Sequence, residues 1–324
     1  MFKSVSYKSK QFLALVVKLF IVIGCGYFIH DKIFTNQQQS IYDFTSILIE
    51  NHVFSLKNAF FLLIFTFFNW FLEMSKWKLL ANQVQKISFY EAAIQSLASL
   101  TASLITPNRI GEYGAKALYF KKTLRKKIVA LNLVGNISQL IVTIVFGGIG
   151  CLYLFFNFKI QFDFTNVIYA LIFFVLLSLL FWFIDKKRVT IKGYSLPNFK
   201  NKITLYSKKL LQKVMLLSAL RYLIFSHQFY FLILIFNIDL PYLDVMMCVF
   251  SMYVIASLIP MLSFFDVLIK GSVALLIFSF FEVNETNILA IVLLMWIFNF
   301  VLPSIVGSYF VLTFNTNKLI QKKE

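Results

Sequence analysis

Residues 103–122 read SLITPNRIGEYGAKALYFKK. An apolar approach runs into Pro107, then Arg109, Gly111, Glu112 and Lys116, before apolar residues resume and end on two lysines. Proline removes a backbone donor and crowds the preceding helical turn, so a helix entering this stretch stops near Pro107. Backbone that is irregular at membrane depth survives only inside protein or beside a wet cavity. Residues 88–121 therefore read as a broken hairpin, either two short helices dipping in and out from one side or two tilted spans. A second stretch, 243–281, breaks in the same way at Pro260 and Asp266.

The setting of these breaks is a membrane. Hydrophobic residues make up 60% of the chain, aromatic residues 18% and charged residues 14%, with a mean hydropathy of +0.79, against near 25% charged residues in soluble domains. Apolar runs about 20 residues long recur from residue 11 to residue 314, which predicts an all-α polytopic membrane protein; the alternation of an outer-membrane barrel is absent. Six full spans are expected near 11–29, 57–74, 128–156, 166–184, 214–236 and 286–314. The basic N-terminus leads into a run too long for a signal peptide and without a small-x-small site, so it reads as an uncleaved first helix. Residues 31–56 are polar, then amphipathic, and are expected on the outer surface. Cys25, Cys151 and Cys248 lie in apolar segments and form neither a disulfide framework nor a CxxC pair.

The net charge of +17 does not point to nucleic acid, because the basic residues cluster in short loops between apolar runs. With the N-terminus in the cytoplasm, 23 basic residues fall inside, nine of them in the 185–213 loop, and only Lys32, Lys57 and Lys159 fall outside. This predicts an inner (plasma) membrane protein with both termini cytoplasmic. It also requires each broken hairpin to return to the side it came from.

A shift of 154 residues overlays the two hairpins. Ala102-Ser103-Leu104-Ile105 meets Ala256-Ser257-Leu258-Ile259, Glu112 meets Asp266, and Lys116 meets Lys270. Each half reads as span, span, broken hairpin, span, giving repeats at 11–156 and 165–314 within a single membrane domain, 1–324. Three crossings per half invert the second half, and inverted repeats with interrupted helices are a pointer to a transporter's binding site.

Charges at membrane depth are costly and mark function. Those left after the loops are assigned include Arg109, Glu112, Lys116, Arg221, Asp266 and Lys270, which form the expected substrate-binding set. Lys18 reads as a snorkelling residue, Glu73 with Lys76 as an interface anchor, Glu91 as water-facing, and His227 as a hydrogen-bonded core residue. Glu112/Lys116 and Asp266/Lys270 are favourable i,i+4 pairs. Arg109 and Arg221 have no sequence-local partner and suit an anion, phosphate above all; backbone N–H groups freed near Pro107 and Gly111 add to this. No P-loop, GxSxG, HExxH or DxD-type pair occurs, so no catalytic residue, metal or cofactor is expected. Gly147-Gly148-Ile149-Gly150 reads as close helix packing.

ITPNRIGEYGAKAL (residues 105–118) resembles the first hairpin motif of the flippase-like transmembrane domain of lysylphosphatidylglycerol synthases, and LIPMLSFFDVLIKGSVAL (258–275) resembles its second. NWFLEMSKWKLL (69–80) and ALRYLIFSHQFY (219–230) are also similar to stretches of that family. The turn at 261–265 departs from the family's Gly-rich pattern. The resemblance implies a protein that moves aminoacylated or other anionic-headgroup lipids between leaflets, standing alone without the soluble synthase domain. The expected function is to bind and flip such a lipid: a phospholipid, aminoacyl-phospholipid or polyprenyl-phosphate lipid. The alternatives are an intramembrane transferase with Glu112 or Asp266 as base, and a non-transporting scaffold.

Overall fold

The computed structural model of the protein describes residues 41–104, 106, 110–158, 206–259 and 265–314. The described residues are helical and contain no strand. In chain order the helices are α1 (Ile41–Glu50), α2 (Leu56–Ala81), α3 (Phe89–Ser103), α4 (Ile110–Leu118), α5 (Arg125–Asn157), α6 (Lys208–Ile235), α7 (Tyr242–Leu258), α8 (Asp266–Phe278), α9 (Glu285–Trp296) and α10 (Leu302–Leu312). A π segment (Ile297–Val301) joins α9 to α10. The spans expected at 11–29 and 166–184, with Lys18, Arg109 and most of the 185–213 loop, lie outside the described residues.

Four stretches are long and apolar enough to cross a membrane: α2, α5, α6 and Glu285–Leu312. Their starts are set by local chemistry. The hydroxyls of Ser55 and Ser207 accept the N–H groups of Asn58 and Leu210, and Ser88 and Glu91 form a capping box on α3, which satisfies donors that a helix start leaves open. Glu91 is thereby an exposed cap, in keeping with its reading as a water-facing residue. The span expected at 57–74 runs on to Ala81, which brings Lys76 inside the helix and leaves Glu73 away from its end.

The last long helix is not uniform. Pro303 has no N–H to offer the carbonyl of Asn299 four residues earlier, and its ring crowds that carbonyl. The helix widens to π register there, and the Asn299 carbonyl accepts the indole N–H of Trp70 at 3.1 Å.

Both breaks predicted in the hairpins are present: α3 stops at Ser103 and α4 starts at Ile110, while α7 stops at Leu258 and α8 starts at Asp266. Gly111 N–H donates to the Thr106 hydroxyl at 2.9 Å. A Cβ on Gly111 would lie 2.9 Å from the Ala102 carbonyl oxygen, so only glycine fits the turn.

The apolar clusters sort the helix ends. One gathers Trp77, Leu80 and Ala81 from α2 with Ala92, Ala117, Phe120, Ile128, Leu210 and Val214. It therefore joins the end of α2, the mouth of the first hairpin and the starts of α5 and α6. Another gathers Val53, Leu62, Leu154, Ile233, Val245, Phe278 and Ile288, joining the start of α2, the ends of α5 and α6, the mouth of the second hairpin and the start of α9. The two hairpins thus open from opposite ends of the helix array. α2 and α6 pack antiparallel, Thr66 meeting Gln228 and Glu73 meeting Arg221. α5 packs antiparallel on α7, and α10 on α3. Gly147 and Gly150 make the first of these contacts possible: a Cβ on Gly150 would lie 2.6 Å from the Met247 carbonyl oxygen, and one on Gly147 would strike Val254. Gly307 does the same on α10 against the Leu97 carbonyl.

Candidate functional site

α2 and α6 cross at a buried polar layer. The Arg221 guanidinium on α6 donates from Nε to Asn69 Oδ1 at 2.9 Å, and its Nη1 lies 2.7 Å from Glu73 Oε2. The same carboxylate oxygen meets Lys76 Nζ at 2.7 Å. Asn69 donates to Asn299 Oδ1 at 2.6 Å, Asn299 donates to Gln228 Oε1 at 2.8 Å, and Gln228 reaches Thr66 Oγ1 at 3.1 Å. Three helices are tied here by side chains that satisfy one another, as polar groups buried away from water must be.

Beside this layer lies a cavity of about 150 Å³. Its polar lining is Asn69, Arg221, Asp266, Lys270 and Asn299; Phe225, Phe229, Met252, Tyr253, Met295 and Phe300 are among its apolar walls. Asp266 opens α8, and one turn on Lys270 reaches its carboxylate at 2.5 Å and lies 5.7 Å from the Tyr253 ring centroid. Both side chains are about one-third exposed, far more than Glu73 or Lys76. When all are ionised, Glu73, Lys76, Arg221, Asp266 and Lys270 carry one net positive charge. The site has a planar guanidinium held in fixed orientation, an ammonium beside it and apolar walls. That combination suits an oxyanion, and the Arg fork matches phosphate geometry.

Of the six predicted site residues, this cavity brings together Arg221, Asp266 and Lys270. Glu112 and Lys116 form the expected pair at 2.7 Å in a different place, packed against α5 and α2. Lys116 is 1% exposed. Its ammonium donates to Glu112 and to Asn132 Oδ1 at 2.9 Å, and it sits 4.4 Å from the Trp77 ring centroid, while Trp77 donates to Gln95. Two of the three donors of the ammonium go to these oxygens, with the indole ring in cation–π contact. Arg109 lies outside the described residues. His227 is a hydrogen-bonded residue as expected, with Nδ1 at 2.7 Å from the Leu223 carbonyl oxygen and Nε2 at 2.8 Å from the Tyr242 hydroxyl.

Sequence reasoning missed the partners of Arg221. Glu73, taken as an anchor near the membrane surface, is buried and bridges two cations. Asn299 and Gln228 carried no signal, since an amide in a span has no charge to mark it. Among the described residues no group of three or more His, Cys, Asp or Glu is placed to hold a metal.

The model of the lysylphosphatidylglycerol synthase TM region family matches residues 15–307, most of the chain, and the protein belongs to that family. No curated protein matches the chain. Family membership and the four membrane-length helices together identify an integral membrane protein.

Proposed function

We propose that this member of the lysylphosphatidylglycerol synthase TM-region family binds an anionic lipid head group in the Arg221–Asp266–Lys270 cavity and carries it between leaflets, as a transporter rather than an enzyme. The observation that carries the reading is Arg221. It is an arginine at mid-span, pinned by Asn69 and Glu73, facing a cavity with Lys270 and leaving one positive charge to be balanced. A lipid phosphodiester supplies one negative charge and the oxygens that an Arg fork engages.

The packing supports an inverted repeat as the frame for this movement. Exchanging the halves turns the α5–α7 contact into the α10–α3 contact and the α3–α4 hairpin into α7–α8, and leaves α2–α6 in place; each of these contacts is present. Equivalent helices that lie antiparallel are related by an axis perpendicular to them, which for membrane spans lies in the membrane plane. Hairpins opening from opposite ends fit the same axis. Under this reading the protein sits in an inner (plasma) membrane with the end bearing Lys86, Lys121, Lys122 and Arg125 in the cytoplasm.

The test is lipid retention. Native mass spectrometry of the purified protein is expected to find a phosphate-bearing lipid, and Arg221→Gln is expected to reduce it about tenfold, the worth of one charge-assisted contact. Wild-type protein carrying no such lipid, or equal retention in the variant, overturns the proposal.

A further inference from the structure

Beside the polar layer, and touching it at Thr66, lies a second concavity of about 280 Å³, almost wholly apolar. Leu63, Phe67 and Phe71 of α2 form one wall, Leu97 of α3 its floor, and Pro303 and Val306 of α10 the other wall. From Leu63 to Met74 it follows α2 for about 16 Å at 1.5 Å per residue, close to the roughly 15 Å depth of one leaflet's hydrocarbon. Only a thin partition separates it from the cavity. Trp70 lines the groove and Phe300 the cavity, and the two belong to one cluster. Two hydrogen bonds hold the partition shut, Trp70 Nε1 to the Asn299 carbonyl and Asn69 Nδ2 to Asn299 Oδ1. Both end on the π segment that Pro303 imposes.

We infer that this groove is the lateral seat of the hydrocarbon tail of the lipid whose head group occupies the Arg221 cavity, with the Asn69–Asn299–Trp70 partition as the gate between them. The inference rests on the proposed head-group site. Asn69 stands at the middle of α2, so a head group beside it lies near mid-depth, where the lipid's tail cannot remain aligned with its own leaflet. The tail must leave sideways at that depth, because a cavity of about 150 Å³ that takes the head group has no room for it. The groove lies at the same level of α2, one side chain beyond the head group. Both bonds are donated by side chains of α2, so parting them opens the partition without breaking a backbone hydrogen bond of either helix.

Cross-linking tests this. The probe is phosphatidylglycerol with a diazirine on one acyl chain, added at low level to the protein in phosphatidylcholine nanodiscs. Cross-links are expected at Phe67 and Val306 in the groove and, from bulk lipid alone, at Leu152, which is 59% exposed on α5. Arg221→Gln is expected to reduce the groove cross-links about tenfold, in step with the lost head-group contact, and to leave Leu152 unchanged. Val306→Trp, which fills the groove from the lipid side, is expected to bring Phe67 cross-linking down to the Leu152 level. If Arg221→Gln loses phosphatidylglycerol on purification yet groove cross-links persist, the tail seat is wrong and the head-group site stands. If Arg221→Gln alters neither retention nor cross-linking, the head-group site fails and the tail seat with it. Groove cross-links no stronger than those at Leu152 in the wild type also overturn the inference.

Discussion

Glu73 is one carboxylate shared by Lys76 and Arg221, each at 2.7 Å, and this asymmetry separates fold from ligand. Glu73→Gln leaves two cations facing each other without the charge that holds them. Removing one partner of a buried ion pair costs about 3–5 kcal/mol, so this variant is expected to lose its unfolding midpoint in detergent. Arg221→Gln keeps the Glu73–Lys76 pair and is expected to purify normally while losing lipid. A Glu73→Gln protein as heat-stable as the wild type refutes this assignment. Lys116 has Glu112, Asn132 and the Trp77 ring around its ammonium, and we propose that it holds the fold rather than a ligand. Lys116→Met is expected to lower stability, and Glu112→Gln with Lys116→Met to recover part of it; lipid retention in the double variant is the readout. Residue by residue, the sequence exposed charge but not pairing. Arg221 stood out because nothing within a few positions could neutralise it. Its partner is 148 residues upstream, and there Glu73 looked satisfied by its local lysine.

At the scale of elements, apolar runs disclosed which segments cross, because in lipid the helix is forced by the backbone's own hydrogen bonds. The breaks between α3 and α4 and between α7 and α8 were legible for the same reason. The ends were less so: α2 continues seven residues beyond its expected limit because a helix buried among neighbours does not need to stay apolar. The π segment was not visible either, since its cause is one proline while its effect is the bond from Trp70, 229 residues away. Glycine spacing carried more. Gly147 and Gly150 face α7, where a Cβ has no room, whereas nothing lies within 4 Å of a Cβ on Gly148. Gly147→Ala and Gly150→Ala are expected to cost about 1–3 kcal/mol through displacement of α5 from α7. Gly148→Ala should be neutral or raise stability by up to about 1 kcal/mol, since alanine is the better helix former. Thermal unfolding of the three variants side by side decides, and equal effects at all three positions would show that α5 does not meet α7 through its glycines.

Across the whole molecule, charge follows the division that the apolar clusters define. Around the first hairpin's mouth lie Lys78, Lys86, Lys121, Lys122, Arg125, Lys126, Lys127, Lys208, Lys209 and Lys213, with Glu91; toward the other end lie Glu50, Asp239, Asp244, Glu282 and Glu285, with Lys57. The sequence alone placed the loops by counting lysines and arginines, and packing now groups the described ones by a criterion that does not use charge. Basic loops stay on the side from which the chain is inserted, so the Lys86 end is expected in the cytoplasm. This predicts the outcome of a labelling experiment in cells. In a chain with Cys25, Cys151 and Cys248 replaced, Gln83→Cys sits in the exposed turn after α2 and Asp239→Cys in the exposed turn after α6. A membrane-impermeant thiol reagent is expected to label Asp239→Cys in intact cells and Gln83→Cys only after permeabilisation. Labelling of both from outside would mean that the two clusters do not mark opposite faces, and the proposed inverted repeat fails with them. Labelling in the reversed order would keep the two-sided architecture but turn the molecule over, with the second hairpin's mouth on the cytoplasmic side.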